Sequence, residues 1–180
     1  MRKELLDWIE EVEGGYTNDP VDAGGKTNMG ITEKTLRRAF DKGIVNYKDV
    51  MSLTYEGAAA IYKIMYFEEA RCHNILKPLD WVHFDTAVNT GPNKAGQLLQ
   101  YAINDLNILN YKIEVDGVIG PATLDLLNIV VDECGVTAVI NTYLMYRMIF
   151  YNQLVRNNKE QIRFLSGWLN RVTKLKKRVL

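Results

Sequence analysis

The sequence predicts a mainly α-helical fold with one small β-hairpin after the first helix. Apolar residues recur at helical spacing through most of the chain. One segment alone, residues 16–32, gathers Pro, Asp, Asn and Gly into turn chemistry. No Pro-, Ser- or Gly-rich linker and no internal repeat divides the remainder. The 180 residues amount to about one domain's length, and 47% apolar with 24% charged residues is ordinary globular composition, which excludes disorder and fibrous repeats.

Residues 2–13 form an amphipathic helix, with Leu5, Trp8, Ile9 and Val12 on one stripe and Glu4, Asp7, Glu10 and Glu11 opposite. Gly14-Gly15 stops it, and the irregular hairpin follows. A second helix runs from near Thr32 to about Phe40, and Ser52 or Thr54 caps a third that carries towards Ala70. Pro78 opens a segment whose residues 81–89 are helical until Gly91-Pro92. The next helix, 93–106, turns Leu98, Leu99, Ala102, Ile103 and Leu106 inward. Asp116-Gly117 and Gly120-Pro121 bracket a connector before a short helix near 121–128. Residues 136–156 are apolar almost all round, the pattern of a buried central helix. A last helix starts near Gly167.

Lys+Arg and Asp+Glu both count 22, so a nucleic-acid partner, which asks for a basic excess, is not expected. The longest apolar run, Ala58–Tyr62, has five residues against the roughly 20 of a membrane span, so no stable membrane insertion is expected. Charges interrupt any signal core in the N-terminal stretch, so synthesis in the cytoplasm is expected. Cys72 and Cys134 are read as reduced, buried thiols. His73 and His83 have no ligating neighbours, and neither a metal nor a cofactor is expected. With no coiled-coil pattern, a monomer is expected. The tail 171–180 holds five basic residues and no acid: a solvated helix end, or a contact with an anionic surface.

One residue stands out of place. At about 100° per residue, Glu13 falls beside the apolar stripe near Leu6, away from the other acids. It also ends its helix, where the dipole disfavours a carboxylate. Partial burial acts in the same direction. Both effects raise its pKa, as a general acid requires. The following loop offers Asp19, Asp22, Thr27 and Asn28. Glycoside hydrolysis uses two carboxylates flanking the scissile bond, and Asp22 or Asp19 can supply the second. Each Asp can equally satisfy turn amides, the better reading for Asp19 ahead of Pro20.

The run from Glu13 to Thr32, E-G-G-Y-x-N-D-P-x-D-x-G-G-x-T-N-x-G-I-T, resembles the glycoside hydrolase family 108 N-acetylmuramidases, lysozymes of phage endolysins and related bacterial proteins. F-D-x-A-V-N-x-G at 84–91, V-D-G-V-I-G-P-A-T at 115–123 and F-L-x-G-W-x-N-R at 164–171 continue the resemblance in order. It implies a lysozyme-like catalytic region over 1–92 and a helical peptidoglycan-binding-like region over 93–180, packed as one unit. It also implies that Glu13 is the catalytic acid. The order resembles T4-type phage lysozymes too, in which an Asp follows the Glu by nine residues, as Asp22 follows Glu13. Thr27 falls one residue short of the corresponding Thr, so Thr27 or Asn28 orients the water. The resemblance leaves open which residue is the base and whether configuration inverts.

The expected activity is cleavage of the bond between N-acetylmuramic acid and N-acetylglucosamine in peptidoglycan, by an endolysin acting after holin release. Tyr16 either stacks on a sugar or staples the loop. Asp85 and Asn89, four apart on one helix, either contact substrate or serve structure, since a buried Asp commonly bonds protein groups. Trp168 is expected in the core and Arg171 on the surface. The alternatives are a peptidoglycan-binding module without catalysis, a secretion-activator protein on the same scaffold, and a glycosidase for another glycan.

Overall fold

The first helix, α1 (Lys3–Glu13), turns Leu5, Trp8 and Ile9 into a core where each is at most 1% exposed. The computed structural model describes residues 3–13, 27–106, 109 and 111–180, without the side chains of Glu10, Val12 and Glu13. These fall into two compact units, Met1–Glu69 and Ala70–Leu180.

In the first unit, β1 (Thr27–Asn28) pairs antiparallel with β2 (Ile31–Thr32), Asn28 opposite Ile31. The two residues between them, Met29 and Gly30, have φ of 49° and 71°. Positive φ at both central positions is the tight hairpin geometry that matches strand twist. Thr32 then caps α2 (Glu33–Asp41), its hydroxyl accepting from the Thr35 amide at 3.1 Å. Of the two caps foreseen for the third helix, Thr54 takes the role: its hydroxyl accepts from Gly57 N at the start of α3 (Tyr55–Tyr62). That helix continues as a π-helical stretch, Lys63–Glu68, so the foreseen run towards Ala70 exists with a widened turn.

The second unit contains α4 (Leu79–Thr90), α5 (Pro92–Leu106), α6 (Pro121–Cys134), α7 (Val136–Asn157) and α8 (Ile162–Val179). Pro121 opens α6 at a position where its missing N–H costs nothing. α6 and α8 are each longer at one end than their periodicity suggested, because burial of Val130 and the capped turn Lys159–Gln161 extend them.

Two expectations are corrected here. α7 packs on α4, α5, α6 and α8, yet Met145, Met148 and Ile149 remain 36–41% exposed, so it is central but not enclosed. The enclosed helix is α4, which buries Leu79, Asp80, Val82 and every residue from His83 to Ala87. Its polar residues disguise it, because Asp80, His83, Asp85 and Thr86 all find hydrogen-bond partners inside the protein. Cys134 is exposed at the end of α6, whereas Cys72 is buried as expected; both are free thiols.

Candidate functional site

Glu13 is the last residue of α1, which puts its backbone at the helix C-terminus. The described structure resumes at Thr27, so Tyr16, Asp19 and Asp22 lie outside it, as does the Glu13 side chain. Thr27 and Asn28 lie together on β1, half-buried. The Asn28 amide donates to the Val50 carbonyl at 2.9 Å, tying the strand to the short turn Val50–Ser52. The Tyr62 hydroxyl donates to the Met29 carbonyl at 2.9 Å and fixes the hairpin tip. Met29 also lines a small apolar recess with Leu6 of α1 and Tyr55, Ala58 and Tyr62 of α3. The hairpin is thus tied by hydrogen bonds to the Val50–Ser52 turn and to α3, with Leu6 of α1 lining the same recess as its tip. A broader groove in this unit, about 640 Å³, is lined by Phe40, Ile44, Tyr47, Glu56 and Ala60 and includes none of the foreseen site residues.

In the second unit, Asp85 and Asn89 sit on one face of α4, as their spacing predicted; Asp85 is buried and Asn89 half-buried. Asp85 is 0% exposed. Arg147 Nη1 donates to its Oδ2 at 2.6 Å, and Arg171 Nε and Nη2 reach its Oδ1 at 2.9 and 2.8 Å. Arg147 also donates through Nε to the Tyr151 hydroxyl, which in turn donates to Asn89 Oδ1. Desolvation works against the Arg147 charge, but the Asp85 carboxylate beside it prevails and holds its pKa above the ordinary value. Arg171, expected on the surface, is buried at 8% exposure because α8 carries it to Asp85, and Trp168 stacks on Tyr151 at 5.0 Å, half-buried. The arginine partners escaped the sequence reading. The available signal was Arg147, the lone charge in the largely apolar stretch 139–151, which a buried carboxylate elsewhere had to answer.

The motif at 115–123 serves a second constellation. Gln100 of α5 is buried, and its amide nitrogen donates to Asp116 Oδ1 at 2.7 Å and the Val118 carbonyl at 3.1 Å. Its carbonyl accepts from Gly117 N at 2.7 Å. One turn on, Asn104 exchanges two hydrogen bonds with the backbone of Ile113. Gly117 has φ 81°, and a Cβ on Gly96 would stand 2.2 Å from the Gly117 carbonyl oxygen, so both glycines are required by the close approach of this segment to α5. The hydrogen bond from Gln100, then that from Val118 N, lower the Asp116 pKa.

A third cluster surrounds His83, which is 0% exposed. Its Nε2 lies 3.0 Å from the Ala70 carbonyl, and its Nδ1 lies 2.8 Å from the Tyr143 hydroxyl. A carbonyl can only accept, so Nε2 carries a proton, and in the neutral ring Nδ1 and the Ala95 carbonyl, 3.0 Å from the Tyr143 oxygen, compete for the single Tyr143 hydroxyl proton. Burial lowers the His83 pKa to about 4 and pushes the Tyr143 and Cys72 groups up. Among the described residues no His, Cys, Asp and Glu groups are gathered closely enough to hold a metal ion, and no helix is long and apolar enough to cross a membrane.

Comparison with known proteins adds the family. The model described as glycosyl hydrolase 108 matches residues 6–91, and the one described as predicted peptidoglycan domain matches residues 94–173. No curated protein matches the chain. Among solved structures, that of Brucella abortus SagA is similar at 28% identity and a TM-score of 0.77, covering 98% of this chain and 91% of that one.

Proposed function

The chain belongs to the glycosyl hydrolase 108 family through residues 6–91 and carries a predicted peptidoglycan domain at 94–173, and from that premise we propose that it is an N-acetylmuramidase. The bond cut is that between N-acetylmuramic acid and N-acetylglucosamine of peptidoglycan. The observation that carries this reading is the position of Glu13, inside the matched hydrolase segment and at the end of α1, just ahead of the hairpin.

Glu13 protonates the glycosidic oxygen, and the bond breaks through an oxocarbenium-like transition state. Asp22 stabilises that charge or activates water. Thr27 orients the water; the commitment of the Asn28 amide to Val50 supports Thr27 over Asn28 in this role. Tyr16 contributes a sugar contact. Asp85 is assigned to the protein's interior, where its carboxylate meets Arg147 and Arg171, while half-buried Asn89 accepts from the Tyr151 hydroxyl through Oδ1 alone. The resemblance to endolysin-type lysozymes supports a phage or prophage lysis role, with access to the wall through a holin.

The test is clearing of purified sacculi by wild type and Glu13→Gln, with circular dichroism confirming that both are folded. Removing a general acid costs about 100-fold or more. The expected result is clearing by wild type alone, with mass spectrometry of the fragments showing reducing-end N-acetylmuramic acid. Equal clearing by both proteins overturns the role of Glu13. Binding to sacculi without clearing by wild type replaces the enzyme with a binding module.

A further inference from the structure

In the second unit, α5 and α7 leave a groove of about 330 Å³ between them. Small-molecule sites begin at about 300 Å³, whereas a protein partner needs a broader surface. Tyr101 of α5 and Tyr146 of α7 stack across it, ring centroids 5.6 Å apart and planes 18° from parallel. An aromatic pair between helices commonly belongs to the core. Here Tyr101 is 46% exposed and the neighbouring Ile149 41%.

The groove is polarised. At one end Lys94 sits 5.4 Å from the centre of the Phe150 ring and donates to Gln97 Oε1, with Gln153 beside them. Past the other end, outside the groove's own lining, exposed Asp105 follows Tyr101 by four residues on the same face of α5. Residues 94 and 105 stand about 16 Å apart along α5 at about 1.5 Å per residue. The surface therefore offers a cation, amides, aromatic faces and a carboxylate in a line.

A ligand complementary to it has flat C–H faces, N-acetyl groups, a carboxylate near one end and an amine near the other. A peptidoglycan muropeptide carries all four: sugar rings, acetamido groups, and a stem peptide with free carboxylates and an amine. We infer that the α5–α7 groove is a muropeptide-binding subsite, in which Tyr101 and Tyr146 carry the sugar and Lys94 takes a stem carboxylate; this rests on the peptidoglycan reading above.

The probe is soluble GlcNAc–MurNAc–tetrapeptide, titrated calorimetrically into the full chain, with sacculus clearing measured in parallel. Tyr101→Ala should weaken binding about tenfold, and Tyr101→Phe, which keeps the ring, should restore it. Lys94→Gln should weaken binding severalfold and flatten its salt dependence. It should leave binding of N,N′-diacetylchitobiose, which has the sugar faces and acetamido groups but no carboxylate, unchanged. Tyr111→Ala, an exposed tyrosine outside the groove, serves as control. Melting curves confirm that the variants are folded. Wild-type clearing combined with full-strength binding by folded Tyr101→Ala and Lys94→Gln overturns the subsite and leaves the enzyme standing. A wild type that neither clears sacculi nor binds the probe overturns both.

Discussion

Replacing Asp85 by Asn separates a structural role from a substrate role. The wild-type carboxylate meets three guanidinium nitrogens at 2.6–2.9 Å, two of them through hydrogen bonds, with no exposure to water. An Asn offers one acceptor and turns two donors towards donors. Arg147, itself 0% exposed, then holds a charge with no counter-ion, whereas the Arg171 side chain at 9% lies nearer solvent. Breaking a buried pair by removing one partner costs about 3–5 kcal/mol. For a chain of this length 1 kcal/mol moves the melting temperature by about 2–4 °C, so the variant should melt about 10 °C lower. Urea denaturation should show the same loss. Sacculus clearing per folded molecule should stay near wild type at a permissive temperature. The double variant Asp85→Ala with Arg147→Met should be at least about 1 kcal/mol more stable than the sum of its single variants, because the stranded charge is gone. Wild-type melting with a raised half-saturating substrate concentration would refute the reasoning and return Asp85 to the substrate.

The pH dependence of stability should carry a His83 signature. Its folded pKa of about 4 lies below the ordinary 6.5, so the unfolded chain binds the proton more readily in between. The stabilisation is complete above pH 6.5 and is lost as pH falls towards 4, about 3 kcal/mol in all. Urea midpoints across this range should lose much of their slope in His83→Gln; an unchanged slope would count against a neutral, buried imidazole. Gln100→Ala should cost about 2 kcal/mol, since it strands the Gly117 amide and frees the 116–120 segment, with faster hydrogen exchange there as the readout. Gly117→Ala should destabilise more than Gly91→Ala. Both have positive φ, but an added Cβ meets Asn93 at 2.4 Å in the first and open space in the second. Equal melting temperatures for these two would show that the close approach to Asn93 relaxes freely.

The helices were legible in the sequence because their signals are local. Leu5, Trp8 and Ile9 repeat at helical spacing, Thr32 and Thr54 offer capping oxygens, and Gly91-Pro92 breaks the chain between α4 and α5. The hairpin tip was legible as a turn, although Met29 at positive φ gave no sign of itself, since non-glycine residues rarely adopt it. Asp85 was visible as a carboxylate on an apolar stripe. Its partners were not, because Arg147 and Arg171 lie 62 and 86 residues away.

Periodicity reports which face of a helix is apolar but not what covers it. α7, apolar almost all round, keeps Met145, Met148 and Ile149 exposed, while α4, with Asp80, His83, Asp85 and Thr86, is the enclosed helix. The sequence by itself determined the fold class, most helix starts and stops, the hairpin, and the motif run around Glu13 that marks the family. Only the tertiary structure decided that Asp85 is an ion-pair hub, that Gln100 shapes the 116–120 segment, and that Tyr101 and Tyr146 share a groove. The physical reason is range. Turns, caps and amphipathic stripes depend on residues within a few positions, whereas a buried charge takes its partner from whichever distant element packing brings to it.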